Sequence, residues 1–286
     1  MATKSHLRFS HTGATCRPPS RESLPVLDIT LHLLVFLFIA AFIAGFIDSI
    51  AGGGGLITVP ALLIAGVPPL ETLGTNKLQS LFGSGSATLA YAAKGHVRLK
   101  EQLPMALMSM LGAMIGAKVT TYIPGDVLKA FLPLLLIAVA LYFGLKRNMG
   151  DDDRHARIRP FVFGLTFVPA IGFYDGMFGP GTGSFFMLAF VTMAGFGMLK
   201  ATAHTKLLNF ASNAGGFIVF SLSGVILWKV GLTMAVGQFL GAQTGSRLAM
   251  RNGAKIIRPL LVVTCMALAI KLLADPANPV RVWLGM

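Results

Sequence analysis

The sequence predicts an all-α polytopic membrane protein made of two inverted-topology repeats, each of about five helical segments, with glycine-broken (discontinuous or re-entrant) helices. Three observations predict it. Of the 286 residues, 54% are hydrophobic and only 12% charged, about half the charged share of an ordinary soluble domain. Two glycine-rich breaks interrupt strongly apolar sequence, Asp48-Ser-Ile-Ala-Gly-Gly-Gly-Gly55 and Asp175-Gly-Met-Phe-Gly-Pro-Gly-Thr-Gly183. In lipid every backbone N–H and C=O must be satisfied by the chain itself, so irregular backbone at membrane depth survives only where protein covers it or an aqueous cavity receives it. Finally, the breaks hold corresponding places in two similar halves, the pattern that marks a binding site between repeats.

The elements follow in order. Residues 1–23 form a polar amino-terminal tail carrying Lys4, Arg8, Arg17 and Arg21, with a faint likeness to a transit peptide. The apolar run after Leu24 is too long for the core of a cleaved signal and leads straight into the first break. The first transmembrane repeat, 24–147, contains apolar segments at 24–50, 56–70, 78–93, 103–123 and 127–145. A charged linker, 148–157, separates it from the second repeat, 158–275, with segments at 160–178, 184–199, 207–228, 230–246 and 256–274, and a tail at 276–286. Most segments approach the ~20 residues that cross a hydrocarbon core, but the second of each set is nearer ~15, which suits a half-helix or a re-entrant arm.

The halves can be laid over one another by eye. Gly45-Phe-Ile-Asp48 sits on Gly172-Phe-Tyr-Asp175 and Gly52 on Gly179. Thr75-Asn76-Lys77-Leu78 then answers His204-Thr205-Lys206-Leu207, after a length difference that falls in the glycine loop. Gly112-Ala-Met-Ile-Gly116 answers Gly237-Gln-Phe-Leu-Gly241, and Pro133 answers Pro259. Cations cluster at Lys94, Arg98 and Lys100, in the linker (Lys146, Arg147, Arg154, Arg157, Arg159), and at Arg247, Arg251, Lys255 and Arg258. The positive-inside rule places all three clusters in the cytoplasm, which requires the repeats to be inverted; the basic tail alone argues the other way. The formal net charge of +13 therefore belongs to membrane loops rather than to a nucleic-acid-binding face.

Lys77 and Lys206 are the sharpest candidates for chemistry, each expected to open an apolar helix just after a break. Lys77, Ser80, Ser84 and Thr88 share a helix face, and Lys206, Asn209 and Asn213 hold the matching places. Polar groups inside a membrane are costly and face a bundle interior or an aqueous path, so the repeated stripe reads as an anion path. The bland alternative is that the lysines snorkel to the interface while the small polar residues bond across helices. Helices restarting at Leu56 and Ser184 would offer free N–H groups and a positive dipole end to a substrate; close packing is the alternative reading of the glycines. Asp48 and Asp175 cap the free amides, pair with a lysine or relay a proton. His204 has no counterpart in the first half and reads as a tuning or interfacial residue. Gly112/Gly116 and Gly237/Gly241/Gly245 read as helix contact faces.

Several classes are disfavoured. The Gly52–Gly55 run lacks the GK[ST] ending of a phosphate-binding loop, no nucleophile or metal-ligand constellation is present, and Cys16 and Cys265 suggest neither a disulfide framework nor a metal site. No catalytic residue, metal or cofactor is expected.

The segment Gly45-Phe-Ile-Asp-Ser-Ile-Ala-Gly-Gly-Gly-Gly-Leu-Ile-Thr-Val-Pro60 with Leu-Gly-Thr-Asn-Lys77, and Gly-Phe-Tyr-Asp-Gly-Met-Phe-Gly-Pro-Gly-Thr-Gly-Ser184 with Ala-Thr-Ala-His-Thr-Lys206, resemble the two signatures of the sulfite exporter TauE/SafE family. The resemblance covers nearly the whole chain after the tail. It implies a multi-pass permease of the bacterial inner membrane for sulfite, thiosulfate, organosulfonates or related small anions, often acting in export. It also implies pore positions at Gly52, Gly53, Gly54, Gly55, Asn76, Lys77, Gly179, Gly181, Thr205 and Lys206. Ser80, Ser84, Thr182, Gly183, His204, Asn209 and Asn213 complete the expected substrate-binding set, with Asp48 and Asp175 as coupling or capping residues. An anion channel, or a cation-coupled or cation transporter using Asp48 and Asp175, is the alternative. The expected partners are a small anion and the lipid bilayer.

Overall fold

The computed structural model describes residues 30–122 and 151–253 and some positions between 255 and 274. The expected segment at 127–145 and both tails lie outside the described residues, and the segment at 256–274 is described only in part. All described regular elements are helical. The first half contributes α1 (Leu31–Ala51), α2 (Gly55–Ile64), α3 (Pro69–Ala93) and α4 (Leu99–Thr120). The second contributes α5 (Pro160–Met177), α6 (Thr182–Ala189, continued by a π-helical turn over Phe190–Ala194), α7 (Met198–Leu222) and α8 (Trp228–Asn252).

Local sequence explains the boundaries. Thr30 caps α1 by accepting the Leu33 N–H, while Pro at the first position opens α3 and α5, where the missing N–H costs nothing. α2 has 10 residues and is therefore ~15 Å long, about half a hydrocarbon core. The short second segments are thus half-helices.

α3 and α7 begin earlier than their apolar stretches suggest. Lys77 and Lys206 do not open helices: counting from Pro69 and from Met198, each is the ninth residue of its helix. The first two turns, Pro69–Asn76 and Met198–Thr205, mix polar with apolar residues because they are covered by protein rather than lipid: Thr72, Thr75, Asn76, Thr202 and Thr205 are all buried. Eight residues of helix place each lysine ~12 Å in from its helix start.

Helix directions follow from the register of close contacts. Gly237, Gly241 and Gly245 of α8 press in turn on the backbone of Phe38, Phe42 and Phe46 of α1, and Gly112 and Gly116 of α4 press on Pro169 and Phe173 of α5. Both pairs are parallel, with small residues admitting the close approach. α3 also runs parallel to α8, Leu78 meeting Gly231 and Ser86 donating to Phe239 O. α4 runs parallel to α7, Ser109 donating to Leu208 O and Met110 meeting Gly215. α3 and α7 are antiparallel: Lys77 lies at Gly216 and Phe210 at Gly85. Hence α1, α3 and α8 run one way and α4, α5 and α7 the other, and each long helix opposes its counterpart in the other half.

The outside of the bundle is apolar. Val35, Ile39 and Ile43 on α1, Leu103, Leu107, Leu111 and Ile115 on α4, and Leu232, Val236 and Leu240 on α8 are exposed at four-residue spacing, one continuous face per helix. Among the described residues three helices, α1, α4 and α5, are long and apolar enough to cross a membrane on length and composition. The described loops that carry the three cationic clusters meet at one end of the bundle, where Arg98, Glu101, Gln102, Ala156, Ile158 and Lys200 line a common cavity and Asp151 lies at Gly253. The linker is tied down there. Asp151 accepts the Leu199 N–H (3.0 Å) and Asp153 the Gly197 N–H (2.9 Å), so two linker carboxylates cap α7, where the helix dipole favours negative charge.

Candidate functional site

The site is built where the two breaks meet. Gly52 ends α1 with φ +79° and Gly179 follows α5 with φ +86°, a backbone region that favours glycine. Gly53 and Gly181 also have positive φ. The breaks touch: a Cβ on Gly52 would lie 2.6 Å from Gly183 C and Ser184 N. The half-helices α2 and α6 therefore start beside one another, and the N-terminal ends of both face the same small space.

Each break is secured by its aspartate and by the opposite half's lysine. Asp48 Oδ1 accepts the Gly54 N–H at 3.0 Å, and Asp48 Oδ2 lies 3.2 Å from Lys206 Nζ; the same ammonium also donates to the Asp48 carbonyl. Asp175 Oδ1 lies 2.8 Å from Lys77 Nζ and accepts the Thr182 hydroxyl at 2.8 Å. Capping and pairing thus occur together, and both ion pairs join the two halves. Lys77 is 1% and Lys206 0% exposed, so neither lysine snorkels to an interface. The stem of Lys77 lies on Gly216 of α7, where a larger side chain would push it aside.

The breaks are secured differently in detail. At the first, Thr58 donates to Gly54 O (3.2 Å) and Tyr91 to Ser49 O (2.9 Å), whereas in the longer second loop Thr182 donates to Gly179 O (2.7 Å) and Tyr174 to Pro180 O (2.7 Å).

The enclosed space is lined by Asp48, Gly53, Gly54, Gly55, Asn76, Ser80, Asp175, Gly179, Thr182, Gly183, Asn209 and Asn213. Its volume is about 20 Å³, room for a water molecule or so. Most of the expected substrate-binding set is therefore brought together. Gly52, Gly181, Lys77 and Lys206 are not part of the lining; the two lysines pair with the aspartates that are. Ser84 is not part of the lining: its hydroxyl donates to Ser80 O at 2.6 Å. Thr205 is buried with no side-chain hydrogen-bond partner among the described residues, although its counterpart Asn76 lines the cavity and accepts from Thr58 (2.6 Å) and Gln79 (2.8 Å). His204 faces elsewhere, into a second cavity of about 560 Å³ at the cationic end, edge-on to Phe190 and Phe196.

Sequence reasoning passed over one residue. Gln238 of α8 is 1% exposed, its Oε1 without a hydrogen-bond partner among the described residues, and lies against Gly45, Gly54 and Gly83. It sits inside the Gly237-x-x-x-Gly241 contact motif, and its counterpart is Ala113; that asymmetry was the available signal. Among the described residues no cluster of His, Cys, Asp or Glu could hold a metal ion.

An all-helical bundle with a lipid-facing apolar exterior, and a charged, glycine-walled site between two halves of opposed direction, defines a membrane transporter. The comparisons agree. A Sinorhizobium protein, Probable membrane transporter protein ORF9, is 74% identical over 258 residues, 90% of this chain and 99% of its own. Probable membrane transporter protein YfcA of Escherichia coli K12 is 49% identical over 89% of this chain and 95% of its own, and Probable membrane transporter protein YunE of Bacillus subtilis 26% over 84% and 97%. Residues 37–272 match the family described as Sulfite exporter TauE/SafE, and the chain belongs to that family. No solved structure matches it.

Proposed function

We propose that the protein is a multi-pass permease of the bacterial inner membrane that exports small sulfur-containing anions such as sulfite, thiosulfate or organosulfonates by alternating access. The observation that carries the reading is the pair of fully buried lysines, ninth in α3 and ninth in α7, each held by the other half beside the amino end of a half-helix. Two ammoniums and two converging helix N-termini favour negative charge, and intramembrane ionisable residues mark transport paths. A space of about 20 Å³ is smaller than a sulfur oxyanion, so binding requires the breaks to part. That requirement suits a carrier that opens alternately better than a standing channel.

Binding is tested by thermal stabilisation of the purified protein with sulfite, thiosulfate, sulfate and taurine. The expected result is a shift with one or more of the sulfur anions that is lost in Lys77→Gln and Lys206→Gln protein that still folds and inserts. A shift that survives both substitutions refutes the lysine site. One observation favours a second reading, a cation site: Asp48 and Asp175, not the lysines, line the space. That reading expects Asp48→Asn to abolish transport with little effect at either lysine.

A further inference from the structure

We propose that Asp48 and Asp175 are proton sites of the transport cycle, so that anion and protons cross together, one proton for each negative charge on the anion. This rests on the anion reading above and adds the coupling ion.

The charge count leads to it. Two lysines and two aspartates occupy the site as two ion pairs, and together they carry no net charge. An anion arriving between them meets carboxylates first, because the lining includes both aspartates and neither lysine. A dianion added to this arrangement leaves two uncompensated charges deep in the bundle, where neither water nor a counter-ion neutralises them. Protonating both aspartates removes that excess: two ammoniums then face one dianion and the site is neutral again. A monoanion needs one such proton.

The structure also offers the atom that takes it. Asp175 Oδ1 is held by Lys77 and the Thr182 hydroxyl, whereas Oδ2 is buried with no hydrogen-bond partner among the described residues. Asn209 Oδ1, of another residue lining the same space, is likewise buried without a donor. These are two hydrogen-bond acceptors in one small polar cavity, and a proton on Oδ2 supplies a missing donor. Asp48 has no such spare oxygen, because Oδ1 accepts from Gly54 and Oδ2 pairs with Lys206. Asp175 is therefore the first site and Asp48 the second.

Among the described residues, few titratable groups surround the two aspartates. The titratable and charged groups facing Asp48 are Lys206 of α7 and Tyr91 of α3, whose hydroxyl donates to Ser49 O. Those facing Asp175 are Lys77 of α3 and its own neighbour Tyr174, whose hydroxyl donates to Pro180 O. The remaining groups, Gly54, Thr182 and Gln238, are neutral. In the cycle a proton from the aqueous side of loading adds to the carboxylate, the carboxylate releases its lysine, the lysine pairs with the anion, and on the far side anion and proton leave as the ion pair re-forms. Export then runs on the substrate and proton concentration gradients together and is indifferent to membrane potential.

The test uses the full chain in proteoliposomes holding a pH dye, with labelled thiosulfate and methanesulfonate. Both stay ionised near neutral pH and so carry no proton themselves. The expected result is lumen acidification of two protons per thiosulfate and one per methanesulfonate, with accumulation unchanged by an imposed potassium diffusion potential. A dianion moving alone would instead change its accumulation ratio about two-thousandfold per ~100 mV. In Asp175→Asn the proton count falls by one for each anion, and accumulation gains a potential dependence of about fiftyfold per ~100 mV. Should that variant fail to insert, the wild-type stoichiometry decides alone. Transport without acidification, steeply dependent on potential, overturns the coupling while leaving the anion site standing. If wild type neither transports nor is stabilised by either anion, the site reading itself falls and the coupling with it.

Discussion

The ion pair between Lys77 and Asp175 makes a quantitative prediction, because both partners are buried and each belongs to a different half. At 2.8 Å and an effective dielectric constant of ~20 the attraction is about 6 kcal/mol, most of it offset by the desolvation of two charges. Removing one partner keeps the desolvation cost of the other without its compensation. Lys77→Met or Asp175→Leu alone should therefore destabilise the bundle by about 3–5 kcal/mol. The double substitution leaves no stranded charge; the Thr182 hydroxyl keeps its bond to Gly179 O at 2.7 Å, and the expected cost falls to about 1–2 kcal/mol. The assay is equilibrium unfolding in mixed micelles, run as a double-mutant cycle with a coupling energy expected above ~2 kcal/mol, alongside thiosulfate transport. The double variant should be folded and inactive, which separates the role in transport from the role in assembly. Additive single effects, or singles within ~0.5 kcal/mol of wild type, would refute the pairing argument; a folded double variant that transports normally would refute the lysine's place in the site.

Other consequences are open to measurement. Gly52→Ala places a Cβ 2.6 Å from Gly183 C at φ +79°, whereas Gly95→Ala at φ +74° meets nothing within 4 Å. The second should cost about 1 kcal/mol and the first several times that, read as loss of thermal stability in detergent. Gly116→Leu and Gly241→Leu drive a side chain into the carbonyls of Phe173 and Phe42; each should separate a parallel helix pair and lower the melting temperature, whereas the lipid-facing Ile115→Leu should not. The neighbourhood of Asp153 has a pH dependence of known sign. Burial is the largest single influence and pushes its carboxyl up, but Lys200 and the Gly197 N–H together hold it below the ordinary carboxylate range. Its contribution is therefore present above the ordinary value of about 3.9 and is lost as pH falls through the lowered one. The group is half exposed, so Asp153→Asn should loosen the start of α7 by only ~0.5 kcal/mol at neutral pH, converging on wild type in acid, as amide exchange at Leu199 would report.

What the sequence disclosed has a common physical origin. The breaks were legible because positive φ at Gly52 and Gly179 leaves a chemical trace, the glycine itself. The lysine-headed stripes were legible because a charge in an apolar run has few explanations. The depth of the lysines was not: polar residues before Lys77 and Lys206 looked like loop, although they are the protein-covered first turns of α3 and α7, and hydropathy does not distinguish shelter by protein from exposure to water. Ser84 shared the stripe's face, yet its hydroxyl closes on its own helix at Ser80 O, a choice that spacing cannot reveal. The partners of Lys77 and Lys206 were illegible for a different reason: pairing across the two halves is a property of how the halves interlock, and one sequence read along its length contains both aspartates without saying which lysine each will meet.

The crossed pairing has a consequence for how the protein is made. When the first half has left the ribosome, its Lys77 and Asp48 have emerged, and the partners each will finally keep, Asp175 and Lys206, have not. α1 likewise lacks α8, and α4 lacks α5, the helices their glycine seams were shaped to receive. The half-made chain is thus an unfinished clasp with bare charges, and it closes only when the second half supplies both partners.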